Sequence, residues 1–142
     1  MNGNVLLLFH CETNTGYAIS TLESVFSKAA TLAMGPAALI HYAYSSDRNG
    51  RPAHVSNEAS DIATVGYFGE AHQFAEFSEW ARARNIRTVL ALDLPIRSAV
   101  AVALRRAGVE RIVSYWGASI SDIYPWYLRP LRRAQFLASP AR

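Results

Sequence analysis

VLLLFHC, from Val5 to Cys11, is an unbroken apolar run with no alternation. A strand of that composition is buried on both faces, the pattern of a parallel sheet covered by helices on either side. ETNTG, Glu12 to Gly16, follows as a turn rich in helix-capping residues. Beyond it Ile19, Leu22, Phe26, Ala29, Ala30 and Ala33 recur at helical spacing and predict one amphipathic helix. Gly35-Pro36 predicts its end, because glycine accepts a left-handed cap and proline cannot extend the ladder.

The same alternation continues outward. ALIHYAY, Ala38 to Tyr44, predicts a second strand, and the polar stretch Ser45 to Ser60, with Asn49-Gly50 and Pro52, a long surface loop. DIATVGYF, Asp61 to Phe68, predicts a weaker third strand interrupted by Gly66. A helix over Gly69 to Asn85 is expected to bury Ala71, Phe74, Phe77 and Ala81. RTVLAL, Arg87 to Leu92, is the fourth strand and ends at Asp93-Leu94-Pro95. The next helix presents Ile96, Val100, Ala103, Leu104 and Ala107 and stops at Gly108; Arg111 to Tyr115 is the fifth strand. Strand and helix alternate with crossovers of sufficient length, so the right-handed rule predicts an α/β fold. The expected architecture is a doubly wound, Rossmann-like parallel sheet of order 3-2-1-4-5 in three α/β/α layers. Residues 1–142 read as one domain. Tyr124 to Arg142 is less regular, with Pro125 placed to start a helix and Pro130 to bend it. The chain stops where such domains often add a sixth strand, so the expectation is a piece of a longer protein.

Composition narrows the class. The length suits one core, and no apolar run approaches the roughly 20 residues of a membrane span. The opening Met1-Asn2-Gly3-Asn4 lacks the basic region of a signal peptide, and the lone Cys11 excludes an internal disulfide; a cytoplasmic protein is expected. Residues 1–81 carry three basic and eight acidic side chains, residues 82–142 eleven basic, all arginine, and three acidic, so −5 and +8 make up the net +3. That polarity points one end towards anions, although GC-rich coding equally explains arginine over lysine.

In a doubly wound sheet, ligands bind where the winding reverses, outside the carboxyl ends of the strands. That crevice would be lined by Asn14, Thr15, Gly16 and Tyr17 after the first strand, Asp93 after the fourth, and Trp116, Gly117 and Ser119 after the fifth. Thr15-Gly16-Tyr17 opens a helix whose free N–H groups suit an anion or a hydroxyl-rich ligand. Equally, Asn14 or Thr15 caps the helix and Gly16 allows close packing. Asp93 either accepts from a ligand hydroxyl or caps the helix near Pro95. Trp116-Gly117 either stacks on a sugar or aromatic ring, with Ser119 and Ser121 offering hydroxyls, or packs at a domain seam. No GxGxxG or P-loop lysine is present, which demotes dinucleotides and nucleoside triphosphates. His10, His41, His54 and His72 lack metal-ligand spacing, and His10-Cys11 are strand neighbours pointing to opposite faces, so no metal is expected. Trp126, Tyr127, Arg129, Arg132 and Arg133 combine interfacial aromatics with cations, which suits an anionic membrane surface or a contact with a further domain.

Three segments, NVLLLFHCETNTGYAIS, TVLALDLP and RIVSYWGASIS with its arginine-rich sequel, resemble the amino-terminal domain of family 4-type glycosyltransferases of the two-domain GT-B fold. The resemblance spans nearly the whole chain, each motif being loose. It implies a domain that binds a sugar, lipid-linked or polysaccharide acceptor, while an absent carboxyl-terminal domain binds the nucleotide-sugar. On that reading Thr15-Gly16-Tyr17 sits over acceptor and donor phosphate, and Trp116-Gly117 faces the reacting sugar. The resemblance further implies that the isolated chain would carry no cofactor and be inactive. Where relatives have a glycine pair in the first loop and a histidine before the late glycine, this chain has Thr15-Gly16 and Trp116-Gly117, so no catalytic base is assigned. Peripheral contact with the inner face of a membrane is compatible with the arginine-rich end. The alternatives are a non-catalytic flavodoxin-like binding or signalling module, and a basic domain for nucleic acid, against which the scattered arginines and missing recognition motif count.

Overall fold

The computed structural model describes residues 3–52, 55, 60–95, 97–117, 126–128 and 130. Five parallel strands form one sheet: β1 (Asn4–Leu8), β2 (Ile40–Tyr44), β3 (Ile62–Thr64), β4 (Ile86–Leu92) and β5 (Arg111–Tyr115), in the order β3-β2-β1-β4-β5. The helices are α1 (Tyr17–Met34), α2 (Ala71–Ala83) and α3 (Ala99–Arg106). β1 is central because its side chains are apolar on both faces: Val5, Leu6, Leu7 and Leu8 are all fully buried. Leu6 and Leu8 pack with Ala43, Val89, Phe77, Ala81, Val100 and Leu104 beneath α2 and α3. Val5 and Leu7 pack with Phe9, Tyr42, Tyr44 and Ala30 beneath α1. Those two clusters are the two interfaces of a three-layer, Rossmann-like α/β/α domain, as the strand pattern predicted.

Register is anchored at the amino edge by Asn4. Its N–H donates to the Asn85 carbonyl (2.9 Å) and its amide to the Arg84 carbonyl (2.8 Å), while its Oδ1 accepts from Leu39 N–H (3.1 Å). One side chain therefore ties β1 to both neighbouring connections. The sheet slips by one residue just after it, between Asn4 and Val5.

Several boundaries differ from the sequence reading. β1 stops at Leu8, so Phe9 to Cys11 lie beyond the strand, and β3 is cut to three residues ahead of Gly66. α2 starts at Ala71, which is exposed, behind a capping box in which Glu70 and Gln73 exchange side-chain and backbone bonds. On α1, Ala29 and Ala33 face solvent and the fully inward positions are Glu23 and Ala30, seven residues apart. The helix is rotated to bring Phe26 against Phe9 (ring centroids 5.8 Å) and Tyr115 (5.9 Å), and a carboxylate goes inward with that rotation.

Among the described residues, Arg82, Arg84 and Arg87 gather at the sheet's amino edge. α2 and α3 run against the strands, so their carboxyl ends sit there with unsatisfied carbonyls that attract cations. Arg82 donates to the Arg106 carbonyl (2.9 Å) and pairs with Glu79; Arg87 donates to the Gly108 carbonyl (3.1 Å) and faces Glu110 (3.6 Å). Arg84 pairs with Asp61 and stacks its guanidinium on Trp80 at 4.6 Å. These arginines finish helix ends, at the edge opposite the carboxyl-end crevice.

Candidate functional site

The carboxyl edge begins with the loop after β1, which is zipped to the loop after β2. Ser45 N–H donates to the Cys11 carbonyl (2.9 Å) and Thr13 N–H to the Ser46 carbonyl (2.9 Å). Asn14 stands in the left-handed region (φ 54°), which asparagine tolerates. Its amide donates to the Asn49 carbonyl (2.8 Å), and Asn49 returns a bond to the Thr13 carbonyl (2.9 Å). Asn14 is thus a clasp between two loops and not the helix cap that its position suggests. Thr15 is no cap either: its hydroxyl donates back to the Glu12 carbonyl. Gly16 itself is the N-cap of α1, with no side-chain cap, and its φ of 140° rather than crowding requires glycine, since a Cβ there would meet open space. Tyr17 projects into solvent. The first amides of α1 therefore open at the crest with no side-chain cap among the described residues.

Asp93 follows directly on β4 and is also left-handed (φ 53°). Its N–H donates to the Tyr115 carbonyl (2.7 Å), and its Oδ1 accepts from Gly117 N–H (2.8 Å). The α3 cap is Ser98, whose hydroxyl oxygen accepts from Ala101 N–H (3.2 Å), so the capping alternative for Asp93 fails. Asp93 instead splices the ends of β4 and β5, and Gly117 is the residue it holds. No hydrogen bond links Gly16 to this pair. Trp116 is half-buried, and its indole N–H is enclosed without an acceptor among the described residues.

Two residues at this edge take roles the sequence did not announce, His10 having been weighed there only as a metal ligand. Tyr67, after β3, sends its hydroxyl across the core to the Leu92 carbonyl (2.7 Å); burial first, and the Asp93 charge second, hold that hydroxyl protonated. His10 lies against the Tyr67 ring (centroids 5.7 Å) with Nδ1 3.4 Å from the same carbonyl. Its neighbour Cys11 turns to the α1 side, where burial pushes its thiol up from its ordinary value. A protonated thiol is a poor nucleophile. Nearby, the Tyr44 hydroxyl faces Glu23 beneath α1, and both residues are almost fully buried.

His41 is a buried core histidine. Its Nδ1 accepts from Asp61 N–H (3.1 Å), its ring meets Trp80 edge-on, and its Nε2 lacks a partner among the described residues. Burial holds it neutral by lowering its pKa. The described residues contain no group of three or more His, Cys, Asp or Glu placed to hold a metal.

Of the other expected site residues, Tyr127 is exposed in a 3-10 turn, Trp126–Leu128. Ser119, Ser121, Arg129, Arg132, Arg133, Ile96, His54 and the Trp126 side chain lie outside the described residues. No helix among the described residues is long and apolar enough to cross a membrane. Comparison with family models, curated proteins and solved structures finds no match, so the chemistry of this edge is argued from its own groups.

Proposed function

We propose that this chain is the acceptor-binding half of a nucleotide-sugar-dependent glycosyltransferase. It would hold a lipid-linked, polysaccharide or other glycan acceptor at the carboxyl edge of the sheet, while a second domain carries the donor. One observation supports the reading most: His10, Asp93, Trp116 and Gly117 converge where the winding reverses, between β1 and β4 and at the adjoining end of β5. Acceptor oxygens, an aromatic ring and an uncapped helix start are what a polyhydroxyl ligand needs. On this reading the domain positions an acceptor and leaves transfer to the completed cleft. Differential stabilisation of a glycosyl transition state needs donor contacts that this half does not supply. The flavodoxin-like alternative gains nothing from the topology, because that fold orders its strands 2-1-3-4-5, whereas β1 here lies between β2 and β4.

The test is ligand-observed NMR on the 142-residue chain with methyl glycosides, a uridine-diphosphate sugar and a flavin. Saturation transfer to the glycosides, weak or absent transfer to the nucleotide-sugar, and no turnover of it are expected. Flavin binding with silent glycosides would overturn the reading.

A further inference from the structure

The Leu92 carbonyl, at the end of β4, receives two side chains. Tyr67 Oη takes one lone pair at 2.7 Å and His10 Nδ1 lies 3.4 Å away on another approach. A carbonyl only accepts, so Nδ1 must carry a proton to be held there; a neutral ring then has a bare lone pair on Nε2. Among the described residues no group donates to that Nε2, and His10 is exposed. The next residue after Leu92 is Asp93, whose Oδ1 is taken by Gly117 N–H while Oδ2 has no donor among the described residues. Two acceptors therefore flank a single carbonyl at the open edge of the sheet. Both are oriented by the backbone: the ring by the Leu92 carbonyl, the carboxylate by the Gly117 amide and a left-handed φ of 53°.

We infer that His10 Nε2 and Asp93 Oδ2 form a hydroxyl-recognising pair that takes two donor hydroxyls of a neutral sugar, with Tyr67 and Leu92 as the frame that sets the His10 tautomer. The inference rests on the glycan reading for its ligand class, and on geometry alone for its tautomer. A pair of acceptors of which one is a carboxylate disfavours phosphate and carboxylate ligands, so this corner of the crevice reads uncharged hydroxyls.

Long-range proton–nitrogen NMR of the full chain reports the tautomer of His10 without any ligand. A ring protonated on Nδ1 supports the pair; a ring protonated on Nε2 overturns it and leaves the proposed function standing. Methyl α-glucoside and methyl α-mannoside are then titrated, with inorganic phosphate as the anionic probe. The expected result is movement of the His10 Nε2 resonance with a glycoside and not with phosphate. Asparagine at this position places an amide where Nδ1 stood and removes the outer acceptor. His10→Asn is expected to keep the thermal midpoint and weaken glycoside binding about tenfold, the worth of one lost hydrogen bond. His10→Gln, which keeps an outer polar atom and loses the anchor on Leu92, is expected to fall between His10→Asn and the wild type. Unaltered glycoside affinity in His10→Asn, or phosphate competing for the His10 ring, would overturn the inference. Wild-type protein that binds neither glycoside overturns the glycan reading and the ligand class together, whatever the tautomer.

Discussion

Asp93 carries two separable burdens, a left-handed backbone and a hydrogen bond to Gly117, and three substitutions separate them. A hydrogen bond to a charged acceptor is worth about 1.5–3 kcal/mol when sheltered, and about 1 kcal/mol for a bond as exposed as this one. Left-handed backbone costs an ordinary residue about 1–2 kcal/mol, while asparagine and aspartate visit it at little cost and glycine at none. Asp93→Asn keeps an acceptor and the tolerance, so it should lose about 0.5 kcal/mol. Asp93→Gly relieves residual strain and pays a similar amount in unfolded-chain entropy, leaving the lost bond, about 1 kcal/mol. Asp93→Ala loses the bond and acquires the strain, about 2 kcal/mol in all. At about 2–4 °C per kcal/mol for a domain of this size, alanine should lower the melting temperature by roughly 4–8 °C. Thermal unfolding followed by circular dichroism ranks the four proteins as wild type, Asn, Gly, Ala. Alanine as stable as glycine would refute the strain; asparagine as unstable as alanine would refute the importance of an acceptor that reaches Gly117.

Other expectations follow from the same contacts. Tyr67→Phe should cost about 1 kcal/mol, because it removes a buried donor from the Leu92 carbonyl, and urea denaturation at fixed m measures it. His41 is held neutral by burial, so the unfolded chain binds a proton more readily than the folded one as pH falls below the ordinary imidazole value of 6.5. Its stabilising contribution is intact above that pH and is lost on acidification towards the lowered folded value. His41→Phe should therefore flatten the pH dependence of the urea midpoint between neutral and mildly acidic conditions, and an unchanged slope would contradict the burial argument. Cys11, half-buried with a raised pKa, should alkylate with iodoacetamide more slowly than free glutathione at mildly alkaline pH, and reach the glutathione rate only in denaturant.

Much of the scaffold was legible because it depends on local pattern. The run Val5 to Leu8 is apolar at every position and short, bounded by a turn-rich stretch, which fits a strand covered on both faces, and the alternation that follows leaves few topologies. Side-chain roles at the crest were less legible. Asn14 and Thr15 have the chemistry of helix caps, yet Asn14 closes on Asn49 and Gly50 and Thr15 on Glu12, leaving Gly16 as the cap. Capping is a local preference worth about 1 kcal/mol, and a partner brought by the neighbouring strand's loop competes on equal terms. The arginine excess suggested an anion-facing end; among the described residues the direction of α2 and α3 brings Arg82 and Arg87 to helix carbonyls, which no local pattern announces, while Arg129, Arg132 and Arg133 lie outside them. Tyr67 follows a three-residue strand and carries no periodic signal, so nothing local marks it as the anchor of the crest.

The amino-acid sequence by itself determined a wound parallel sheet and where its reversal falls, since hydrophobic periodicity and the handedness of crossovers act over neighbouring residues. Only the tertiary structure decided which groups meet at that reversal. His10 and Tyr67 share one carbonyl of Leu92, and Asp93 grips Gly117, across separations of 24 residues and more. Contacts of that length depend on strand register and helix rotation, set by packing over the whole core and not by any short window of sequence.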